Sequence, residues 1–322
     1  VDKKLSISSF ENWLPKSVLV LREYNRQKFV SDLIAGLTVG LVALPLAMAF
    51  AISSGVPPQS GIYCAVIAGF LISALGGSKT QIGGPTGAFV VIVSGIVAKY
   101  GIEGLYVCTG MAGVFLIILG ATGFGSAVKF IPRPVVIGFT NGIAVLIAST
   151  QIKDFFGLQI DQVPGEFLRR MQAIGQHWST ISIESTALAI GSLLIVLLTP
   201  KVTKRVPGTI VALFAGTGAS LLLHLHVETI GTRFGGIPAG LPHLDVPPFH
   251  VHLVLTLLSP ALTVAMLGAI ESLMSAVVSD RMSNDKHNPN VELIAQGFAN
   301  VVSPMFGGLP ATGAIARTAT NI

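Results

Sequence analysis

Charged side chains are absent from residues 33–78, and 104–128, 134–152 and 246–270 are further uncharged runs. A transmembrane helix needs about 20 consecutive, mainly apolar residues, so each run is long enough for at least one span. Apolar stretches between short polar breaks place spans at 33–51, 61–75, 86–98, 104–122, 134–150, 185–200, 207–223, 259–279, 291–303 and 311–322. The first thirty residues are polar, and the stretch around Trp13 and Leu14 suits a helix lying on the membrane surface. Segment 151–183 is too polar to span and reads as an external loop with room for a short helix; 225–250, rich in Pro, Gly and His, reads as a second.

Two of these spans are anomalous. Segment 86–98 reaches only ~20 Å at ~1.5 Å per residue, against a hydrocarbon core of ~30 Å. The last, 311–322, is similarly short. Residues 83–88 (GGPTGA) open the first, and 307–314 (GGLPATGA) open the second, about 225 residues later. Paired short segments interrupted by Gly and Pro in corresponding places point to an inverted-repeat transporter with its site between two half-helices. The plainer alternative is two unrelated turns that share Gly, Pro and Thr.

Composition agrees with the pattern. Of 322 residues, 51% are hydrophobic and 11% charged, and the mean hydropathy of +0.75 excludes a soluble globular protein. The net charge of +5 does not indicate a nucleic-acid partner, because Lys and Arg sit in short loops between apolar runs. If the chain crosses at each span, fourteen of them lie on the side of the N-terminus, and five (Lys99, Lys153, Arg169, Arg170, Arg233) lie opposite. That bias predicts a cytoplasmic N-terminus. No cleavable signal peptide is expected, because the first span is preceded by Lys3, Lys4, Lys16, Arg22, Arg26 and Lys28. Cys64 and Cys108 lie in apolar runs and read as small core residues.

Inside the spans, two ionisable residues stand out, Glu271 and Arg317. If Pro260 occupies the first helical turn, Glu271 falls near the helix centre and the bilayer midplane. A carboxylate is expensive to keep charged there, which makes it a candidate proton carrier or a helix tie. Ser275 and Gly268 share its face. Arg317 either faces a cavity or snorkels to an interface. Two opposed helix N-termini contribute about half a positive charge each, so with Arg317 they call for an anion. Backbone N–H groups and the hydroxyls of Thr86 and Thr312 suit oxyanion oxygens. Protonating Glu271 removes a negative charge from the same cavity, so proton and anion would bind with positive coupling.

Other features carry less. His224 with His226 and His250 with His252 have a metal-like spacing but lack an acidic or Cys partner nearby in sequence, so no metal is expected. Metalloprotease, serine-hydrolase, nucleotide-binding and dinucleotide-binding motifs are all missing, so neither an enzyme nor a cofactor is expected. Gly36 and Gly40, four apart in the first span, suit close helix packing. Phe50, at the end of that span, reads as a core or cavity-lining aromatic.

At these residues the sequence resembles the SulP family of sulfate permeases and related anion transporters. Residues 32–51 (DLIAGLTVGLVALPLAMAFA) look like the family's first helix, and 55–63 (GVPPQSGIY) are similar to its signature before helix 2. Segments 84–89 (GPTGAF), 138–142 (GFTNG) and 307–321 extend the match over nearly the whole chain. The resemblance implies an all-α polytopic membrane protein with a seven-plus-seven inverted repeat, a core domain moving against a gate domain, and a homodimer. Residues 1–31 are then a cytoplasmic segment, 32–133 core helices 1–4, 134–224 gate helices 5–7, 225–258 an external loop, and 259–322 core helices 8–10. Ile322 falls early in helix 10, so helices 11–14 and the cytoplasmic STAS domain common in the family are not represented. Carried over residue by residue, the anion site falls on Thr86, Gly87 and Ala88, on Gly313, Ala314 and Ile315, and on Phe50, with Arg317 just beyond. Glu271 and Ser275 match the ion-coupling positions of helix 8. Sodium-coupled bicarbonate members resemble this region but carry Asp and Thr there; Glu271, Ser275 and Ile315 depart from that pattern and argue for a proton over sodium. Leu46 stands where a Gln is common.

The resulting expectation is a secondary transporter of a bacterial-type inner membrane. It would carry sulfate, bicarbonate or a C4-dicarboxylate by proton symport, with elevator-like movement of the core. An anion channel or exchanger on the same scaffold is the first rival, and a nucleobase permease of related fold, which leaves Arg317 unexplained, the second.

Overall fold

The computed structural model describes residues 13–21, 24–130, 133–160, 163–203, 206–237, 240, 242–245 and 251–322. Expectations for residues 1–12, for Arg22 and for His250 fall outside that set. The chain divides into two compact units, Val1–Ile137 with Ala239–Ile322, and Gly138–Pro238.

In the first unit, a short helix α1 (Lys16–Val20) precedes α2 (Arg26–Ser53), which Asn25 caps by accepting from the Lys28 N–H at 2.9 Å. Pro58 starts α3 (Pro58–Leu75), whose turns at Cys64–Ala68 widen to π geometry. The close approach of α2 runs along Ala43, Ala47 and Ala51. A Cβ on Gly61 of α3 would fall on the Ala47 carbonyl. The expectation that Gly36 and Gly40 form the packing face is corrected, since no described neighbour comes within 4 Å of where their Cβ atoms would be. Small residues allow close contact only where a partner helix crosses.

After a two-residue strand β1 (Gly83–Gly84), helix α4 (Gly87–Ala121) contains both expected spans 86–98 and 104–122. They are separated by non-helical backbone at Gly101. The second half of α4 packs on α11 (Pro289–Val302) backbone to backbone: Cβ atoms on Gly113 and Gly297 would each lie 2.6 Å from the other's carbonyl oxygen. Helix α10 runs Val251–Ser283, so Pro260 is interior rather than in the first turn. The apolar residues before it continue the helix, and membrane helices tolerate such a proline where neighbours satisfy the freed backbone groups. Strand β2 (Thr312–Gly313) and helix α12 (Ile315–Asn321) close the unit, so the last expected span begins as strand, not helix.

In the second unit, α5 (Arg133–Phe156), most of which lies here, is followed by α6 (Phe167–Gln176), α7 (Ile183–Val202), α8 (Gly208–Leu222) and α9 (Ile230–Phe234). Leu158, Ile160 and Ile174 form a small core under the 151–183 segment. Lys153 and Arg170 are buried in it: Lys153 donates to the Ile160 carbonyl, and Arg170 to Pro164, Gly165 and the Ser149 hydroxyl. Burial lowers the pKa of Arg170, and its hydrogen bonds replace the lost water. Glu184 comes beside His226, and no group of three metal-type side chains forms among the described residues.

Five described helices are long and apolar enough to cross a membrane: Arg26–Ser53, Pro58–Leu75, Gly87–Ala121, Ile183–Val202 and Leu253–Ser283. Two loops and the N-terminal segment, which the sequence assigns to one side, meet in the first unit. Asp285 lies 3.6 Å from Lys16 and 3.5 Å from Lys79, and the Lys16 N–H donates to the Gly76 carbonyl at 2.9 Å. Partial burial would raise the Asp285 pKa, but the Lys286 N–H and the two ammonium groups outweigh it and hold the carboxyl below the usual range. A depressed carboxylate stabilises the fold above its unfolded pKa and loses that contribution as pH falls through the folded one. The groups remain partly exposed, so Asp285→Asn should cost about 1 kcal/mol or less. A thermal-unfolding series in rising salt checks this: the difference from wild type should shrink as salt rises.

Candidate functional site

The two repeated strings meet. Gly83 pairs with Gly313 and Gly84 with Thr312, in antiparallel register. Each strand runs directly into a helix, α4 from Gly87 and α12 from Ile315, so both helix N-termini adjoin one crossing. The Ala314 N–H extends the ladder by donating to the Ile82 carbonyl at 2.9 Å. First-turn amides have no intrahelical partners, so the crossing concentrates partial positive charge.

Glycine is required at Gly84, where φ is +145° and a Cβ would come 2.5 Å from Nη1 of Arg317. That guanidinium is buried, at 3% exposure, and its Nη2 donates to the Pro85 carbonyl. Its Nε has no hydrogen-bond partner among the described residues. Arg317 therefore lies inside against the first string, and the snorkelling alternative is set aside. Its position is costly twice over, because burial strips its water and the α12 N-terminus repels a cation.

Thr86 precedes α4 in extended conformation, but its hydroxyl does not cap the helix. It donates to Oε2 of Glu271 at 2.9 Å, joining α4 to α10. Glu271 and Arg317 interact electrostatically across the crossing, with no direct ion pair between them. Thr312 faces α10 as well, donating to the Gly268 carbonyl at 2.9 Å.

Of the residues singled out from the sequence, Thr86, Gly87, Ala88, Gly313, Ala314, Ile315, Arg317 and Glu271 gather around the crossing. Ser275 is fully buried but does not join Glu271; its hydroxyl lies 3.4 Å from that of Thr318. Thr318 in turn accepts from the Ile82 N–H at 3.0 Å. Phe50 is half-buried in the last turn of α2, with no hydrogen-bond or ring contact tying it to the others.

Sequence reasoning missed a second polar layer. Glu292, Gln296, Asn300 and Ser303 form a buried stripe on α11 and the turn after it. Asn300 donates to the Ala311 carbonyl and accepts from the Ala311 N–H, both at 2.8 Å, and so holds the second string. Gln81 donates to the Ser272 hydroxyl at 2.8 Å just ahead of the first string. The signal was present as polar residues four apart, at 292, 296 and 300, inside an apolar span.

A model of the sulfate permease family matches residues 29–322. A putative sulfate transporter, YvdB, of Bacillus subtilis (strain 168) is 48% identical over 300 residues, covering 93% of this chain and 57% of that protein. The bicarbonate transporter BicA of Picosynechococcus sp. is 34% identical over 301 residues, covering 90% and 53%. The chain thus spans about half the length of these curated relatives. The solved transmembrane domain of a cyanobacterium bicarbonate transporter BicA superposes with a TM-score of 0.83 at 34% identity, covering 92% of this chain and 77% of that one. The fold class expected from the sequence, an all-α membrane protein of the inverted-repeat type, holds.

Proposed function

Since the chain belongs to the sulfate permease family, a family of permeases rather than of enzymes, we propose that it carries a small anion across the membrane as a secondary transporter, with the strand crossing as its anion site. The substrates to try first are sulfate, bicarbonate and a C4-dicarboxylate. The observation that carries this reading is the buried, partly unpartnered Arg317 beside two antiparallel strings that each open a helix. With Glu271 neutral, no carboxylate pairs with Arg317 among the described residues, and an anion would offset the positive charge gathered there.

The Thr86–Glu271 bond supports proton coupling. An ionised Glu271 holds the Thr86 hydroxyl as a donor and opposes an incoming anion. Protonation removes the negative charge and releases that donor toward the anion, so each ligand favours the other. In this reading the first unit carries the site and moves, elevator-like, against the second. The N-terminus faces the cytoplasm of a bacterial-type inner membrane, and the protein is a homodimer.

Uptake of labelled sulfate, bicarbonate and succinate into liposomes, with and without an inward proton gradient, tests the proposal. Wild type should show saturable uptake of at least one anion that rises with the gradient. Glu271→Gln, permanently neutral, should keep saturable uptake at low pH and lose the response to the gradient. Saturable uptake indifferent to the gradient in both proteins would end proton coupling, and absence of uptake in wild type would end the anion site.

A further inference from the structure

Glu292 is fully buried, and its carboxyl hydrogen-bonds to Gly77, Ser272 and Gln296, none of them a candidate anion-binding residue. Each of these hydrogen bonds is accepted by the carboxyl. Gly77 N–H donates to Oε2 at 2.9 Å, while Gln296 Nε2 and, at a longer 3.5 Å, Ser272 Oγ donate to Oε1. Those donors hold the carboxyl in one orientation. No Lys or Arg forms an ion pair with it among the described residues. The donors, the first turn of α11 and the nearby His287 are the groups that favour a carboxyl here. A methionine or leucine would fill a similar volume without that desolvation cost, so the informative question is what the carboxylate holds.

It holds the non-helical segment 76–82 that leads into the first string. Gly77 is seated directly, and a Cβ there would strike the Asn288 carbonyl. Through Ser272 the same carboxylate reaches Gln81, whose Nε2 donates to the Ser272 carbonyl at 3.2 Å as well as to its hydroxyl. The Gln81 amide lies against Gly313 so closely that a Cβ on that glycine would overlap it. Glu292 is therefore tied to both ends of segment 76–82 and, one contact further, to the second string.

We propose that Glu292 is a positioning residue: it fixes segment 76–82 so that the two strand-to-helix junctions meet in register, and it sets anion affinity without touching the anion. This rests on the crossing being the anion site.

The test is a double-mutant cycle in liposome-reconstituted protein on Glu292→Gln, Gln81→Leu and the pair. KM and Vmax are measured for the anion that wild type takes up, together with the monodisperse yield and thermal midpoint of each variant. Each single change should raise KM about tenfold, the loss expected for buried hydrogen bonds worth about 1.4 kcal/mol. Vmax per folded molecule should stay within about twofold, and the pair should raise KM little beyond the larger single effect, because both act on one segment. A merely structural residue would lower yield and midpoint and leave KM unchanged in the molecules that fold. Should Glu292→Gln fail to fold, Ser272→Ala and its pair with Gln81→Leu run the same cycle with the tie to Gly77 intact. An unchanged KM, or KM increases that multiply in the pair, overturns the proposal. If wild type itself takes up no anion, the site reading fails first and the positioning role falls with it.

Discussion

Replacing Arg317 by Met should abolish saturable anion uptake, raising KM about a hundredfold or more, while the yield of folded protein stays near wild type. Among the described residues the guanidinium is the one buried cation at the strand crossing, and it donates to a backbone carbonyl rather than closing an ion pair. Methionine keeps much of the side-chain volume and removes the charge. The carbonyl of Pro85 then loses one donor, a cost of about 1 kcal/mol that the fold can bear. An anion bound opposite a missing charge loses far more, about 3–5 kcal/mol by the measure of broken buried ion pairs. Arg317→Lys should fall between, because a point charge cannot serve the Pro85 carbonyl and an oxyanion in the fixed fork geometry that a guanidinium offers. Concentration-dependent uptake for the three proteins, normalised to protein incorporated, decides the matter. Unchanged KM in Arg317→Met would mean that the helix N-termini hold the anion without it.

The five long apolar helices were legible because the bilayer makes one demand, length of apolar sequence, and short loops with Lys and Arg punctuate it. The two strings were legible because glycine and proline in a membrane segment need a reason, and here the reason is a strand pair that a side chain on Gly84 would disrupt. What stayed hidden depended on partners far apart in sequence. Gly36 and Gly40 have the right spacing for a packing face but no described neighbour within 4 Å of a Cβ there, while the contact fell to Ala47 and Gly61. Pro260 reads as a helix start only if the residues before it are not helical, and in α10 they are. Ser275 shares a helical face with Glu271, yet Thr318, 43 residues on, takes its hydroxyl. Glu292 falls inside the expected span 291–303 and was not singled out. Its importance lies in Gly77 and Ser272, and no local pattern announces a partner 215 residues away.

The same contrast gives the second large effect. Gly84→Ala should eliminate anion uptake, whereas Gly95→Ala, eleven residues along and inside α4, should leave it intact. At Gly84 a side chain meets two obstacles. Its φ of +145° is a conformation that L side chains rarely adopt, with a strain of roughly 1–3 kcal/mol. The added Cβ also displaces the Arg317 guanidinium from the position where it reaches Pro85. Either relief, rotating the backbone or moving the arginine, breaks the geometry of the crossing. At Gly95 nothing lies within 4 Å of the new methyl group, and alanine is favoured over glycine by about 1 kcal/mol in a helix interior. Thermal midpoints and uptake measured on both variants separate two accounts. A folded Gly84→Ala protein with a raised KM would locate the damage in the arginine, whereas loss of the folded protein would locate it in the backbone. Normal uptake in Gly84→Ala would show that the two strings need not touch for the anion to bind, and the crossing would lose its claim to be the site.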